Sequence, residues 1–308
     1  MNKIHQGPML DHDIKGYDVI QCESCGFAHL DPVPTEEDLA EYYKTGFYET
    51  HSPSDWAEKE EREQEYWDIE YKDRLETFSQ LLGKPTGRLL DIGCGSGWFL
   101  AYAMRFGWDA LGVEPSDKMI RIAESLKVPV IQGVFPGIDL SDHSPFDAVH
   151  LKLVLEHVHN PVDVLKDLRH ILSPDGLLCI EVPNDFNPLQ GIAKTTLDKP
   201  SWWVAPPVHI NYFTFESLQG LLERTGYVVE EKEATFPMEW FLLQGIDYIG
   251  NDPVGRECHG QRMKLEMALE QGGLRDVRRD FGRWLASRNI GREIVIYARK
   301  DRDGNLTG

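Results

Sequence analysis

Three rhythms of apolar and polar positions divide the chain. From residue 54 to 82, SDWAEKEEREQEYWDIEYKDRLETFSQLL sets Trp67, Tyr71, Leu75, Phe78 and Leu82 at steps of three and four, one stripe of an amphipathic helix. Such an aromatic stripe is core packing, and the EKEERE run is a solvated face. Beyond Gly87, short apolar runs alternate with helical stretches. RLLDIG, DALGVEP, VPVIQG, FDAVHLKL, LLCIEVPN, YVVEEKE and EIVIYARK read as strands. GWFLAYAMRFG, SDKMIRIAESLK, NPVDVLKDLRHILSPDG and TFESLQGLLERTG read as helices. Ser116, Asn160 and Thr214 are their N-caps, Pro161 holds a first position, and Gly107, Gly226 and a Pro-Asp-Gly turn are the stops. This alternation predicts an α/β fold, a doubly wound and mostly parallel seven-stranded sheet with helices on both faces. The third rhythm, residues 237–289, is mainly helical, with Leu274, Val277, Phe281, Trp284 and Leu285 as its stripe. The predicted organisation is an N-terminal extension at 1–53, a core at 54–236 and 290–300, and a helical insertion at 237–289 before the last strand. There is no internal repeat and no low-complexity tract.

The extension carries VIQCESCGFAHLDPVP, with Cys22 and Cys25 as a C-x-x-C knuckle. Two cysteines are half of a tetrahedral zinc site, and His5, His12 and His29 are the candidates for the rest, none at a diagnostic spacing. The reading adopted is a metal-free turn. From Thr35, TEEDLAEYYKTGFYE opens like a capped short helix. Five cysteines at scattered positions argue against a disulfide framework.

Charge narrows the partners. With 32 Lys plus Arg against 51 Asp plus Glu, the net charge is −19, a field that repels nucleic acid and anionic lipid. No apolar run approaches the ~20 residues of a membrane span. MNKIHQGPMLDHDIKG lacks a signal-peptide apolar region, so a cytoplasmic location is expected.

The chemistry centres on LLDIGCGSGWFL. Asp91 closes an apolar strand, and Gly93, Gly95 and Gly97 follow in five positions. In a doubly wound sheet this is the ligand-binding end of the first strand. G-x-G-x-G alone is weak, but Glu114 ends the next strand, where a carboxylate can accept hydrogen bonds from both hydroxyls of a ribose. There is no G-x-x-x-x-G-K-[ST] loop and no Lys or Arg near the glycines, so a pyrophosphate would lack a cation.

LLDIGCGSGWFL, GVEPS, FDAVHLKLVLEHVHNP and LSPDGLLCIEVPN, in this order, resemble the class I S-adenosylmethionine-dependent methyltransferases over residues 87–233 and again near 292. HINYFTFESLQGLLERTGYVV, DPVP and EYY resemble a branch that acts on small molecules. That branch usually carries two C-x-x-C pairs; this chain has one, and no metal is assigned. The resemblance implies S-adenosylmethionine as cofactor, with Asp91 at its ammonium, bare backbone at Gly93, Gly95 and Gly97, and Glu114 at the ribose. It implies Gln132 and Gly133 near the adenine, and a strand tip including Leu151 beneath the sulfonium. Cys94 reads as a small buried residue.

Methyl transfer to oxygen needs a proton acceptor, and histidine suits that work near neutral pH. His209 in PPVHINYF and His157 in LEHVHNP are the candidates, and His159 is expected to face solvent. Some ubiquinone-type O-methyltransferases bind a divalent metal through a glutamate three residues before the Glu-His pair, where this chain has Leu153. A catalytic metal of that kind is not expected. The acceptor site should draw on the extension, the insertion and DFNPLQGIAKTTLDKPSWWVAPP, whose Trp202 and Trp203 either stack on an acceptor or pin the loop. The expected activity is methylation of a small molecule or glycan at oxygen, without nucleic-acid or membrane partners. The alternatives are a C- or N-methyltransferase of deoxysugar or secondary-metabolite type and a non-catalytic cofactor-binding module.

Overall fold

The computed structural model describes residues 5–35, 37–39 and 53–301. The chain opens with β1 (Met9–Ile14), β2 (Tyr17–Gln21) and β3 (Ala28–Asp31), then α1 (Pro53–Arg62) and α2 (Gln64–Leu82). Strands and helices alternate from there: β4 (Arg88–Ile92), α3 (Trp98–Arg105), β5 (Asp109–Glu114), α4 (Asp117–Ser125), β6 (Val130–Gln132), β7 (Phe146–Lys152), α5 (Pro161–Ile171) and β8 (Leu172–Pro183). Next come α6 (Pro188–Thr196), β9 (Asn211–Tyr212), α7 (Phe215–Arg224) and β10 (Tyr227–Ala234). Helices α8 (Glu239–Leu243), α9 (Asp252–Gln271) and α10 (Arg275–Ser287) precede β11 (Glu293–Lys300).

Seven strands form one sheet in the order β10-β11-β8-β7-β4-β5-β6. All neighbours from β8 to β6 are parallel, and β11 runs antiparallel to both β8 and β10. Strand order reverses at β4, between β5 and β7, so the carboxyl ends of these strands border the crevice where such sheets bind ligands. Period-2 alternation sends neighbouring side chains to opposite faces. Leu90, Ile92, Val149, Leu151 and Ile180 face α5 and α7, while Leu89, Ala148, Cys179 and Tyr297 face α2 and α3. The Tyr71, Leu75 and Phe78 stripe of α2 covers that second face.

Three features depart from the pattern. The single helix expected over 54–82 breaks at Glu63 (φ −101, ψ 14), which turns α1 across the glycine segment after β4. The Pro-Asp-Gly stop lies inside β8 as an irregularity, because pairing with β7 resumes from Phe146↔Leu172 to Ala148↔Leu177. In α10 the expected apolar stripe is half in water, with Leu274, Val277 and Trp284 exposed and only Phe281 and Leu285 packed inward. Arginines take the inner face instead. Arg275 and Arg278 pair with Asp73 of α2, and Arg279 and Arg283 with Glu233 and Glu231 of β10. Carboxylates removed from water require cations, and that requirement overrides the apolar repeat.

The N-terminal strands form a four-stranded antiparallel sheet, β1-β2-β3-β9, completed from far along the chain by His29↔Asn211 and Ala28↔Tyr212. Val19, Ala28, Leu30, Trp203, Val204 and Tyr212 form its core, so Trp203 pins the loop, with Trp202 edge-on against it. Thr35 and Asp38 exchange hydrogen bonds as the expected cap; the following segment, including the Glu41-Tyr42-Tyr43 motif, lies outside the described residues.

Candidate active site

The three glycines do different work. Gly93 (φ 70) donates to the Val113 carbonyl, and a Cβ there would meet Val154 Cγ2 at 2.7 Å. Gly97 (φ 79) precedes α3, and its Cβ would meet Ala123 Cβ at 3.0 Å. Gly95 (φ 54) differs, since a Cβ there would meet nothing within 4 Å. The outer glycines satisfy packing, and the middle one leaves bare backbone toward open space.

Glu114 reaches into this turn from the end of β5. One carboxylate oxygen accepts from Gly95 N at 3.0 Å and the other from Ser116 N at 2.9 Å. An ionised carboxylate offers about four lone-pair sites, so about two remain for a vicinal diol. Burial raises its pKa, partly offset by the two backbone N–H groups. Gln132 pairs with Glu114 across β5 and β6, and its amide donates to Asp117; Gly133 N donates to the Glu114 carbonyl at 3.2 Å. Both lie beside the acid.

Asp91 is buried, and its carboxylate meets His150 Nδ1 of β7 at 2.8 Å. The reading of the sequence did not single out His150 as this partner. The signal was a polar residue in an apolar strand, but only the register Asp91↔His150 reveals the pair. Leu151 lies one residue before the last position of β7, and its side chain turns into the core. It is fully buried among Ile92 and Ile180, on the sheet face covered by α5 and α7. Cys94 is half-buried, and burial together with the Asp91 and Glu114 carboxylates raises its thiol pKa, which disfavours a thiolate nucleophile. Helix α1 closes over the turn, with Glu60 accepting from Ser96 Oγ at 2.5 Å and from the Tyr71 hydroxyl.

Just beyond β7 lies a second cluster. Leu153, a non-glycine residue at φ 54, leads into a short helical turn at Leu155–His157. Glu156, His157 and His209 bring one donor atom each to within 4.8 Å of one another, and the rings of His157 and His209 meet edge to face at 4.9 Å. His157 Nδ1 donates to the Val208 carbonyl at 2.8 Å, and its Nε2 lies 3.7 Å from Glu156. Asn211 of β9 braces the turn through the Leu155 and Val158 carbonyls. Burial pushes His209 down to about 3, helped by His157 and Arg292, and lowers His157 as well. Burial also raises Glu156 well above the usual carboxylate range, and neither of its oxygens has a hydrogen-bond partner. Burial therefore disfavours charge on all three groups, and His209 Nδ1 is unpartnered. His159 is exposed, as expected, and contacts the Pro34 carbonyl.

Two further groups were not anticipated. Asp185 follows β8, buried and with one oxygen unpartnered; burial pushes it up to about 8, with Arg292 opposing and Glu239 reinforcing. Lys152, the last residue of β7, meets Glu181 at 2.6 Å. Arg74 pairs with the same carboxylate, and these two cations hold Glu181 low although burial alone would raise it. Leu153 and Phe186 (φ 57), both left-handed, mark the ends of β7 and β8, and strain of this kind is held where surroundings fix the backbone for a purpose.

The turn suits a nucleoside that carries a sulfonium rather than a phosphate. Bare backbone at Gly95, spare acceptors on Glu114 and the buried Asp91 favour a cationic, diol-bearing ligand. On a sheet of this order, that defines a class I S-adenosylmethionine-dependent methyltransferase. The chain belongs to the methyltransferase domain family, whose model matches residues 60–232. It is 30% identical over 128 residues to a ubiquinone biosynthesis O-methyltransferase of Caulobacter sp. (strain K31), covering 40% of this chain and 51% of that protein. With the same-named protein of Maricaulis maris (strain MCS10) the identity is 29% over 128 residues, 40% of this chain and 50% of the other. The chain thus spans about half the length of the curated relatives it matches. Among solved structures, the plantazolicin methyltransferase BpumL in complex with SAH shares the fold at a TM-score of 0.52 and 17% identity, over 86% of this chain and 94% of that one.

Proposed function

We propose that this protein methylates a hydroxyl oxygen of a small molecule or glycan, with His209 as proton acceptor. The observation that carries this reading is the Glu156, His157 and His209 cluster, which begins two residues beyond Val154, whose side chain lies against Gly93 of the glycine turn. S-adenosylmethionine, when bound, supplies an electrophilic methyl group on a sulfonium. Asp91 and Glu114 hold the ammonium and the ribose, the Gly95 backbone lets the methionine part approach, and Gln132 and Gly133 border the adenine. The acceptor lies over the ends of β7 and β8. As its oxygen gains the methyl group the hydroxyl proton becomes strongly acidic, so it passes to His209 Nδ1 although burial holds that imidazole down to about 3. His157, fixed by the Val208 carbonyl, orients that ring. Alignment of oxygen, carbon and sulfur does most of the work. The ubiquinone biosynthesis O-methyltransferases matched above support oxygen as the acceptor atom.

The test uses a panel of phenols, catechols and glycosides with S-adenosylmethionine, reading S-adenosylhomocysteine release and the methylated atom. His209→Ala should lower turnover by roughly 10²–10⁴-fold with cofactor affinity unchanged. A product methylated at carbon or nitrogen, or turnover within about threefold of the parent, overturns the assignment.

A further inference from the structure

The knuckle of the extension gathers four metal-ligand side chains. Cys22 and Cys25 flank a tight turn in which Gly26 (φ 73) donates to the Cys22 carbonyl at 2.8 Å. His29 projects from β3, and His5 arrives from the segment before β1. One donor atom from each of His5, Cys22, Cys25 and His29 lies within 4.8 Å of the other three. His5 Nδ1 is 3.7 Å from Cys22 Sγ, 3.6 Å from Cys25 Sγ and 3.0 Å from His29 Nε2. With Zn–S near 2.3 Å and Zn–N near 2.0–2.1 Å, a tetrahedron has edges of about 3.6 Å between S and N and about 3.3 Å between two N. The observed separations are close to those edges. His12, the third histidine weighed from the sequence, turns away to Asp18 at 2.6 Å.

We infer that His5, Cys22, Cys25 and His29 bind one zinc ion as a closed structural site. Two thiolates and two imidazoles in a tetrahedron select zinc over the harder divalent cations. His29 is prepared for it, because Nδ1–H donates to the Leu30 carbonyl at 2.7 Å and leaves the Nε2 lone pair facing the other three donors. All four positions are protein ligands, so the ion has no open site for chemistry. Its work is mechanical. It ties residue 5 to β3, where His29 pairs with Asn211, and Asn211 braces the turn that carries Glu156 and His157. On the other side, Arg224 of α7 donates to the Cys25 carbonyl and Phe27 packs on Phe213 at 5.2 Å. The competing arrangement on the same atoms is metal-free, with a His5 to His29 hydrogen bond and Cys22 Sγ against Ser24 Oγ at 3.2 Å.

The experiment is elemental analysis of the untagged full chain purified without chelator, followed by cobalt substitution of the metal-free protein. The expected result is about one zinc per chain and, with Co²⁺, visible bands of a tetrahedral site together with thiolate-to-metal charge transfer. Cys22→Ser/Cys25→Ser should abolish both signals, while His157→Ala/His209→Ala, which breaks the other His-containing cluster, should leave them intact. Zinc below about 0.2 per chain with no cobalt bands overturns the inference, and so does metal content that survives the double serine change. If that variant does not fold, the charge-transfer band of the parent decides, since only thiolate ligation produces it.

Discussion

Glu114 serves two masters at the residue scale, clamping the Gly95 and Ser116 amides while offering its remaining lone pairs to a diol. Glu114→Ala should therefore weaken S-adenosylmethionine binding by roughly 1.5–3 kcal/mol, read by calorimetry on a variant whose melting temperature shows it folded. Unchanged affinity would remove the ribose from this acid. Asp185 gives a prediction in pH. Burial lifts its folded pKa to about 8, whereas an unfolded aspartate titrates near 3.9. Between those values the folded state holds a proton that the unfolded state has lost, so this group lowers stability as pH rises. Asp185→Asn should raise the melting temperature by a margin that grows from pH 5 to 8 and reaches about 5 °C or more. A margin that is flat with pH would mean that Asp185 is ionised throughout. Gly93, Gly95, Gly97 and Glu114 were legible in the sequence because strand ends and glycine spacing are local. His150 and Asp185 were not, since their significance comes from register across β4 and β7 and from burial, neither of which is written within a few residues.

At the element scale, α1 is the part most closely tied to ligand occupancy. It leaves α2 at Glu63 and touches the turn through Glu60, which holds both Ser96 and Tyr71. A ligand seated on that turn should stiffen α1, so amide exchange over residues 53–62 should slow by about tenfold or more with S-adenosylhomocysteine, a protection of ~1.4 kcal/mol. Exchange in the Leu75–Phe78 stretch of α2, packed on the sheet, should not change. Equal protection of both would show a global effect instead. The break at Glu63 was invisible because the apolar stripe of α2 starts beyond it and the acidic run before it has no periodicity to interrupt. The stripe of α10 misled for the opposite reason: a period near 3.6 shows that a face exists but not that the face is covered, and here arginines on the other side found buried carboxylates. Strand order itself could be anticipated from the resemblance, whereas the β3–β9 pairing could not.

Across the whole molecule, two sheets share one site. The seven-stranded sheet supplies the glycine turn, and the four-stranded sheet braces the Leu155–His157 turn that carries Glu156 through Asn211. The net charge of −19 suits an uncharged or cationic acceptor better than a polyanion. The pairing of β3 with β9 also sets a timetable for synthesis. A nascent chain emerges amino end first, and β1, β2 and β3 leave the ribosome long before residues 211 and 212 exist. Until then one edge of β3 stands open, and the small hydrophobic cluster beneath it lacks Trp203, Val204 and Tyr212. These three strands, made well before their partner, are thus among the last to be finished, and their quality control falls to whatever shields an unpaired edge while translation proceeds.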